Sequence, residues 1–464
     1  MTENTQASIQ SATNFAHANK EAYLKGFIEL LTIPSISTDP AYKEDVHRAA
    51  DWIVKDMQRI GLENCQTIPT EEHPVAYGEW LNAGEDKPTI LVYAHYDVQP
   101  VDPLELWESP PFEPTIRDQR IYARGVIDDK AGVYLNLKAF ESILASAGKL
   151  PFNLKVFFEG EEESGSSNMV PFIQQHKDLL KADLLILSDG SHDEDEAMIM
   201  TSVRGIVDGE VIVSGPKRDL HSGTFGGIVH NPAHHAAKIV AAFHDENGRV
   251  QIPGFYDNVR PLTPTQLEEI KREETFRRRI LAEQSGVTNF WGMPEYSLLE
   301  RGTALPTCDI NGLYGGYQGA GGKTIIPAKA GFKVSMRLVA DQNPDDIIRK
   351  FEAFVKTFEV DTLKIEVIPF PGSFPAQLLA EGPEIDALQK AFLATWGKRA
   401  MLYRQGGSVP IMSLFQQELG IPITALSLGT GDNGHSPNEY FILEHFYRNI
   451  DLAIHAYHYL ADID

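Results

Sequence analysis

The sequence of 464 residues predicts an α/β protein, with a mostly parallel sheet flanked by helices and a smaller α+β domain inserted into it. Three observations predict this. Short apolar runs ending at Gly, Asp or Glu alternate with amphipathic stretches at both ends of the chain. The middle shows the period-two patterning of half-exposed strands. The length exceeds one typical core, so two domains are the default.

The runs PTILVYAHYDV (88–98), NLKVFFEGEE (153–162), ADLLILSDG (182–190) and PITALSLG (422–429) read as buried strands whose carboxyl ends carry polar loops. KAGVYLNLKAFESILASAG (130–148) and PEIDALQKAFLATWG (383–397) place apolar residues three and four apart and close on Gly, as helices packed on a sheet do. Open sheets of this kind gather ligands at the carboxyl ends of their strands.

From RGIVDGEVIVSG (204–215) the pattern changes to alternation. Helical stretches follow at PAHHAAKIVAAFHD and TQLEEIKREETFRRRILAEQ, then a strand at AGFKVSMRLVAD (330–341), a helix at PDDIIRKFEAFVKTF and a strand at LKIEVIP. This predicts an inserted domain over 207–375, leaving 1–206 and 376–464 as one discontinuous domain.

Composition excludes several function classes. With 41 Lys and Arg against 65 Asp and Glu, the formal charge of −24 repels phosphate backbones and anionic membrane surfaces, so neither nucleic acid nor membrane is an expected partner. Two cysteines, Cys65 and Cys308, lie far apart without a CxxC spacing, which speaks against a disulfide framework or a thiolate metal site. The first residues lack the basic start and apolar core of a signal peptide, and the chain is expected in the cytoplasm.

Chemistry-bearing residues collect at the strand ends. YAHYDVQP supplies His95 and Asp97, which an extended chain turns to the same side, and a metal-binding imidazole needs its second nitrogen held by such a partner. Asp128 and Asp129 precede a helix, Asp189 ends LSDG, and His435 lies in the Gly-rich loop GDNGHSPNEY. FEGEEESG (158–165) concentrates three glutamates between glycines. Each feature has a plainer reading: a structural histidine, a helix cap at Asp128, a turn at Asp189–Gly190, a solvated acidic turn at 161–163. Together they supply the nitrogen and oxygen donors, including a carboxylate able to bridge, that two zinc ions require.

The ordered set AHYDVQP, RGVIDDKAG, FEGEEESGS, LSDG, DLHSGTFGG, RQGGSVP and GHSPNEY resembles the two-zinc metallopeptidase family of aminoacylases, glutamate carboxypeptidases, desuccinylases and carnosinase-like dipeptidases, and most resembles the dipeptidase branch. The resemblance implies a zinc-exopeptidase-like catalytic domain in which His95 and Asp189 bind one metal, Glu163 and His435 the other, and Asp128 bridges both. Asp97 would orient His95, and the Asp128–Asp129 peptide is expected to be cis. Glu162 would be the general base; Glu161 has no assigned chemistry.

The resemblance also implies that His221 reaches the partner subunit's active site to stabilise the oxyanion, so a homodimer through the inserted lid domain is expected. Arg337 would grip the substrate's C-terminal carboxylate, helped by Thr324 and Ser408. His234 and His235 are given no metal role. The implied reaction is amide hydrolysis in a small peptide, with two divalent cations per chain, zinc foremost and manganese or cobalt as substitutes. An N-acyl-amino-acid deacylase with the same chemistry is the nearest alternative, and the insertion between GFYDNVRPLTPTQ and LERGTALPT favours the dipeptidase. A noncatalytic binding homologue would need a broken ligand or base position, and none is seen.

Overall fold

The computed structural model describes residues 3–463, which divide into two compact units. One comprises 3–201, 378–403 and 414–463; the other comprises 202–377 and 404–413.

The first unit is built on a six-stranded sheet with spatial order Glu63–Ile68, Val75–Trp80, Asn153–Glu159, Thr89–His95, Leu184–Leu187, Ile423–Ala425. The last four run parallel, and the two at the opposite edge are antiparallel. Every residue of Asn153–Glu159 and Leu184–Leu187 is buried, which explains why these strands are unbroken in the sequence pattern: helices cover both faces. The polar residues that follow the parallel strands therefore gather at one edge.

The helix Lys130–Ala147 lies almost wholly inside and ends on Gly148, whose φ of 69° closes the last turn. It meets the sheet closely at Gly132, where a Cβ would collide with the Asp129 carboxylate and the Ser188 carbonyl. A second sheet of short strands, including Arg120–Tyr122, Tyr440–Ile442 and Gly429–Asp432, was not foreseen from the sequence, because segments of three or four residues carry too little periodicity.

The second unit holds a four-stranded antiparallel sheet, ordered Thr307–Gly315, Lys329–Leu338, Gly205–Ser214, Lys364–Pro369. Gly205–Ser214 alternates buried and half-buried residues without exception, as one covered face requires. The helices Pro232–Ala241 and Pro344–Lys356 supply the cover, closing a core around Val211, Ile239, Phe243, Phe332 and Phe351. The strand Thr307–Gly315 escaped sequence reading: it is an edge strand whose register slips between Ile310 and Gly312, and Asp309, Asn311 and Gly312 are poor strand formers. The helix Pro264–Ser285 starts at a capping box between Thr263 and Gln266. Among the described residues no helix is long and apolar enough to cross a membrane, and both cysteines are free thiols.

Candidate metal centre

His95 ends its strand and is 1% exposed. Two residues on, Asp97 is fully buried and acts as a hub. Its Oδ1 lies 3.3 Å from His95 Nδ1 and accepts the Glu162 backbone N–H at 3.3 Å. Its Oδ2 accepts from Ser37 Oγ at 2.6 Å and from the Glu163 N–H at 3.0 Å. One carboxylate thus aims the imidazole and anchors the backbone of the glutamate pair.

The other face of His95 meets Asp128, with Nε2 3.1 Å from Oδ1. Asp128 Oδ2 lies 2.9 Å from His435 Nε2, which is in turn 3.2 Å from Glu163 Oε1. Gln99 Nε2 donates to the second oxygen of Glu163 at 2.7 Å. The Asp128–Asp129 peptide is cis. Asp129, not Asp128, caps the following helix, accepting from Gly132 N at 3.1 Å and from His95 N at 3.3 Å. The helix therefore leaves Asp128 free to face the two histidines.

Three groups of donor atoms each fall within 4.8 Å: His95, Asp128 and Asp189; His95, Glu162 and Glu163; Asp128, Glu163 and His435. All six residues belong to the first unit, and Asp128 joins the first group to the third.

The donor set suits borderline divalent cations, being imidazole nitrogen and carboxylate oxygen with no thiolate. The electrostatics agree. Burial pushes Glu162 up to about 9 and Asp189 up to about 6, with neighbouring carboxylates adding to both shifts. Hydrogen bonds to Asp128 and Glu163 hold His435 up at about 10. Burial lowers the His95 pKa, yet bonds to Asp128 and Asp97 outweigh it and leave the ring well above its usual value. Glu163 Oε1 is buried and faces His435 Nε2 at 3.2 Å. The residues present fit a pair of metal ions.

The sequence leaves Glu161 either supporting the glutamate loop or solvated, and the structure places it in support. Glu161 is fully buried and accepts from Thr70 Oγ1 at 3.0 Å, Asn168 Nδ2 at 2.9 Å and Asn168 N at 3.3 Å. Glu159, also buried, accepts from Tyr93 and Ser166 hydroxyls at 3.0 and 2.6 Å, and burial pushes its pKa up to about 8. The motif stretch FEGEEESG offered the only signal: an acidic run directly continuing a buried strand has few routes to solvent.

In the second unit, the candidate residues form two pairs. Arg337 Nη1 donates to Ser408 Oγ at 2.7 Å. His221 is exposed and accepts the Gly223 N–H at Nδ1, 3.0 Å away. Thr324, also exposed, directly precedes Ile325, which pairs with His221 in a two-stranded ribbon, and its carbonyl accepts from Ser222 N at 3.0 Å. His235 is buried and bonded to the Phe358 carbonyl at 2.8 Å, while His234 is exposed.

Residues 91–458 match the model of peptidase family M20/M25/M40. The chain is 31% identical to the Cys-Gly metallodipeptidase DUG1 of Candida albicans, over 90% of each chain, and 27% identical to the human Beta-Ala-His dipeptidase, over 93% of this chain and 89% of that one. Among solved structures it resembles an M20 family metallo-carboxypeptidase from Sulfolobus solfataricus, with a TM-score of 0.81, 31% identity, and 95% and 99% of the two chains covered. The family match extends over far more than half the chain and contains every one of the six clustered donors, so the chain belongs to the M20/M25/M40 peptidase family.

Proposed function

We propose that the chain is a two-metal dipeptidase that hydrolyses the amide bond of small peptides with a free C-terminal carboxylate. The observation that carries this reading is the set of overlapping donor groups centred on Asp128. His95 and Asp189 would hold one cation, Glu163 and His435 the other, and Asp128 both. Zinc is the expected metal, and manganese or cobalt would also suit the donors. When bound, the cations supply Lewis acidity, making a water nucleophilic near neutral pH.

Glu162 takes a proton from the attacking water and returns it to the leaving amine nitrogen. Asp97 holds the His95 ring and the Glu162 and Glu163 backbone through the cycle. Arg337, with Ser408 and Thr324, binds the substrate carboxylate; the hydroxyl already fixed at 2.7 Å orients the guanidinium. His221 stabilises the oxyanion in the partner's site, so the working form is a homodimer joined through the inserted 207–375 domain, acting in the cytoplasm.

The names of the relatives support dipeptides as substrates, whereas the Sulfolobus likeness favours a second reading, C-terminal trimming of longer peptides. The decisive experiment assays dipeptides, tripeptides, longer peptides and N-acetyl amino acids with zinc-loaded wild type and Glu162→Gln, counting bound metal in both. Dipeptide turnover that falls by about 10²–10⁴ in the variant at about two metals per chain supports the proposal. Preference for longer peptides or for N-acetyl amino acids replaces the substrate class; normal turnover by the variant removes Glu162 as the base.

A further inference from the structure

Resting on the two-metal reading, we propose that Glu439, paired with Arg124, is a positioning residue that holds the loop bearing Asp128 against the loop bearing His435. Glu439 is fully buried, and its two oxygens accept from four donors. Oε1 takes the Ile127 N–H at 2.9 Å and the Asp128 N–H at 3.3 Å. Oε2 takes the Gly125 N–H at 2.9 Å and Arg124 Nη1 at 2.8 Å. Glu439 therefore grips the backbone on the N-terminal side of Asp128, up to and including the residue's own N–H.

Arg124, 1% exposed, extends the clamp. Its Nη1 also reaches the Ser436 carbonyl at 3.3 Å, one residue after His435, and Nη2 donates to the Pro100 carbonyl at 2.9 Å, beyond Gln99. Three loops that carry donors or their partners converge on one ion pair. His435 needs such a tether because its side chain is 56% exposed and its φ is 61°, an uncommon conformation for a residue with a side chain. Among the described residues, its ion-pairing partners are the acidic donors Asp128 and Glu163.

A buried ion pair adds little net stability over a well-packed apolar pair, so stability is a weak reason for this arrangement. Supporting groups that orient metal ligands, by contrast, typically change metal affinity or activity by 10–100-fold when replaced. Glu439→Gln keeps the volume while setting an amide NH₂ against an N–H donor pair. Arg124→Lys keeps the charge while losing the planar fork.

The test is chelator-competition titration of zinc, and of cobalt followed by its visible spectrum, on full-length wild type, Glu439→Gln, Arg124→Lys and Lys138→Met. The last breaks another buried pair, Lys138–Asp56 at 2.8 Å, and reports purely structural loss. Expected is a 10–100-fold weaker second metal in both clamp variants, an altered cobalt spectrum, and a lower kcat with little change in KM, while Lys138→Met loses thermal stability alone. Wild-type affinity and kcat in the folded clamp variants would overturn the proposal, as would failure of both to fold, which makes the pair a folding element. Wild type that binds no metal would overturn the two-metal reading instead.

Discussion

The candidate residues of the two units differ in how they are held. In the first unit His95 and Asp97 are 1% and 0% exposed, and each sits in a network of side-chain and backbone partners. In the second, His221 and Thr324 are exposed; the His221 ring accepts the Gly223 N–H two residues on, and the Thr324 bond to Ser222 N runs through its backbone carbonyl. Charged groups buried in a satisfied network have their geometry set before any ligand arrives. Replacing one disturbs folding and metal binding together. An exposed histidine contributes little to the fold, so a functional role there is separable from stability.

The largest effect that would break this contrast is in His221→Ala. As an oxyanion-stabilising group its loss is expected to lower kcat by about 10²–10³. The unfolding midpoint should stay put, since exposed substitutions usually move stability by about 0.5 kcal/mol or less. Mixing His221→Ala with Glu162→Gln subunits should restore turnover if the histidine acts across a dimer. A parallel loss of stability, or no change in kcat, would group His221 with the structural histidines.

Asp97→Asn tests the opposite case. The amide cannot accept along all the directions that Asp97 serves, so metal affinity is expected to fall by about 10–100-fold and thermal stability with it. Chelator competition and a melt of the metal-free chain measure the two separately. Loss of affinity with unchanged stability would mean that the hub orients His95 without organising the glutamate loop.

The same contrast explains what was legible beforehand. His95, Asp128, Asp189 and His435 stand out in the sequence because each lies at a strand end, in a turn before a helix or in a Gly-rich loop, whereas choosing Glu163 from its acidic run rests on the family resemblance. Glu439, Arg124 and Glu161 lie in the same motifs, yet their role depends on which loops meet in three dimensions. The edge strand Thr307–Gly315 was hidden for another reason: its pairing with Lys329–Leu338 overrides weak local propensity, and a single sequence carries no trace of a long-range partner.

A smaller effect is expected at Arg337. Arg337→Lys keeps the charge and loses bidentate geometry, so KM for a dipeptide should rise about tenfold with kcat nearly constant. Equal loss in both parameters would place the guanidinium in the transition state rather than in ground-state binding.

The smallest expected effect separates burial from function within the second unit. Glu273 is 1% exposed, like the acidic residues of the candidate metal centre, but its charge is offset by Arg277, at 3.2 Å, and by the charge and backbone of Arg404, and among the described residues its Oε2 has no hydrogen-bond partner. Burial pushes its pKa from the ordinary 4.5 up to about 7. The folded chain therefore binds this proton more tightly than the unfolded chain, and the stabilisation is complete below about pH 4.5 and fades as the pH rises through 7. Glu273→Gln does not titrate. Relative to wild type it should gain stability between pH 5 and pH 8, on the order of 1 kcal/mol, with turnover unchanged. Calorimetric melts at the two pH values measure this difference. A loss of stability at pH 8 would show that the ionised carboxylate is satisfied by its two arginine neighbours, as Glu439 is by its four donors.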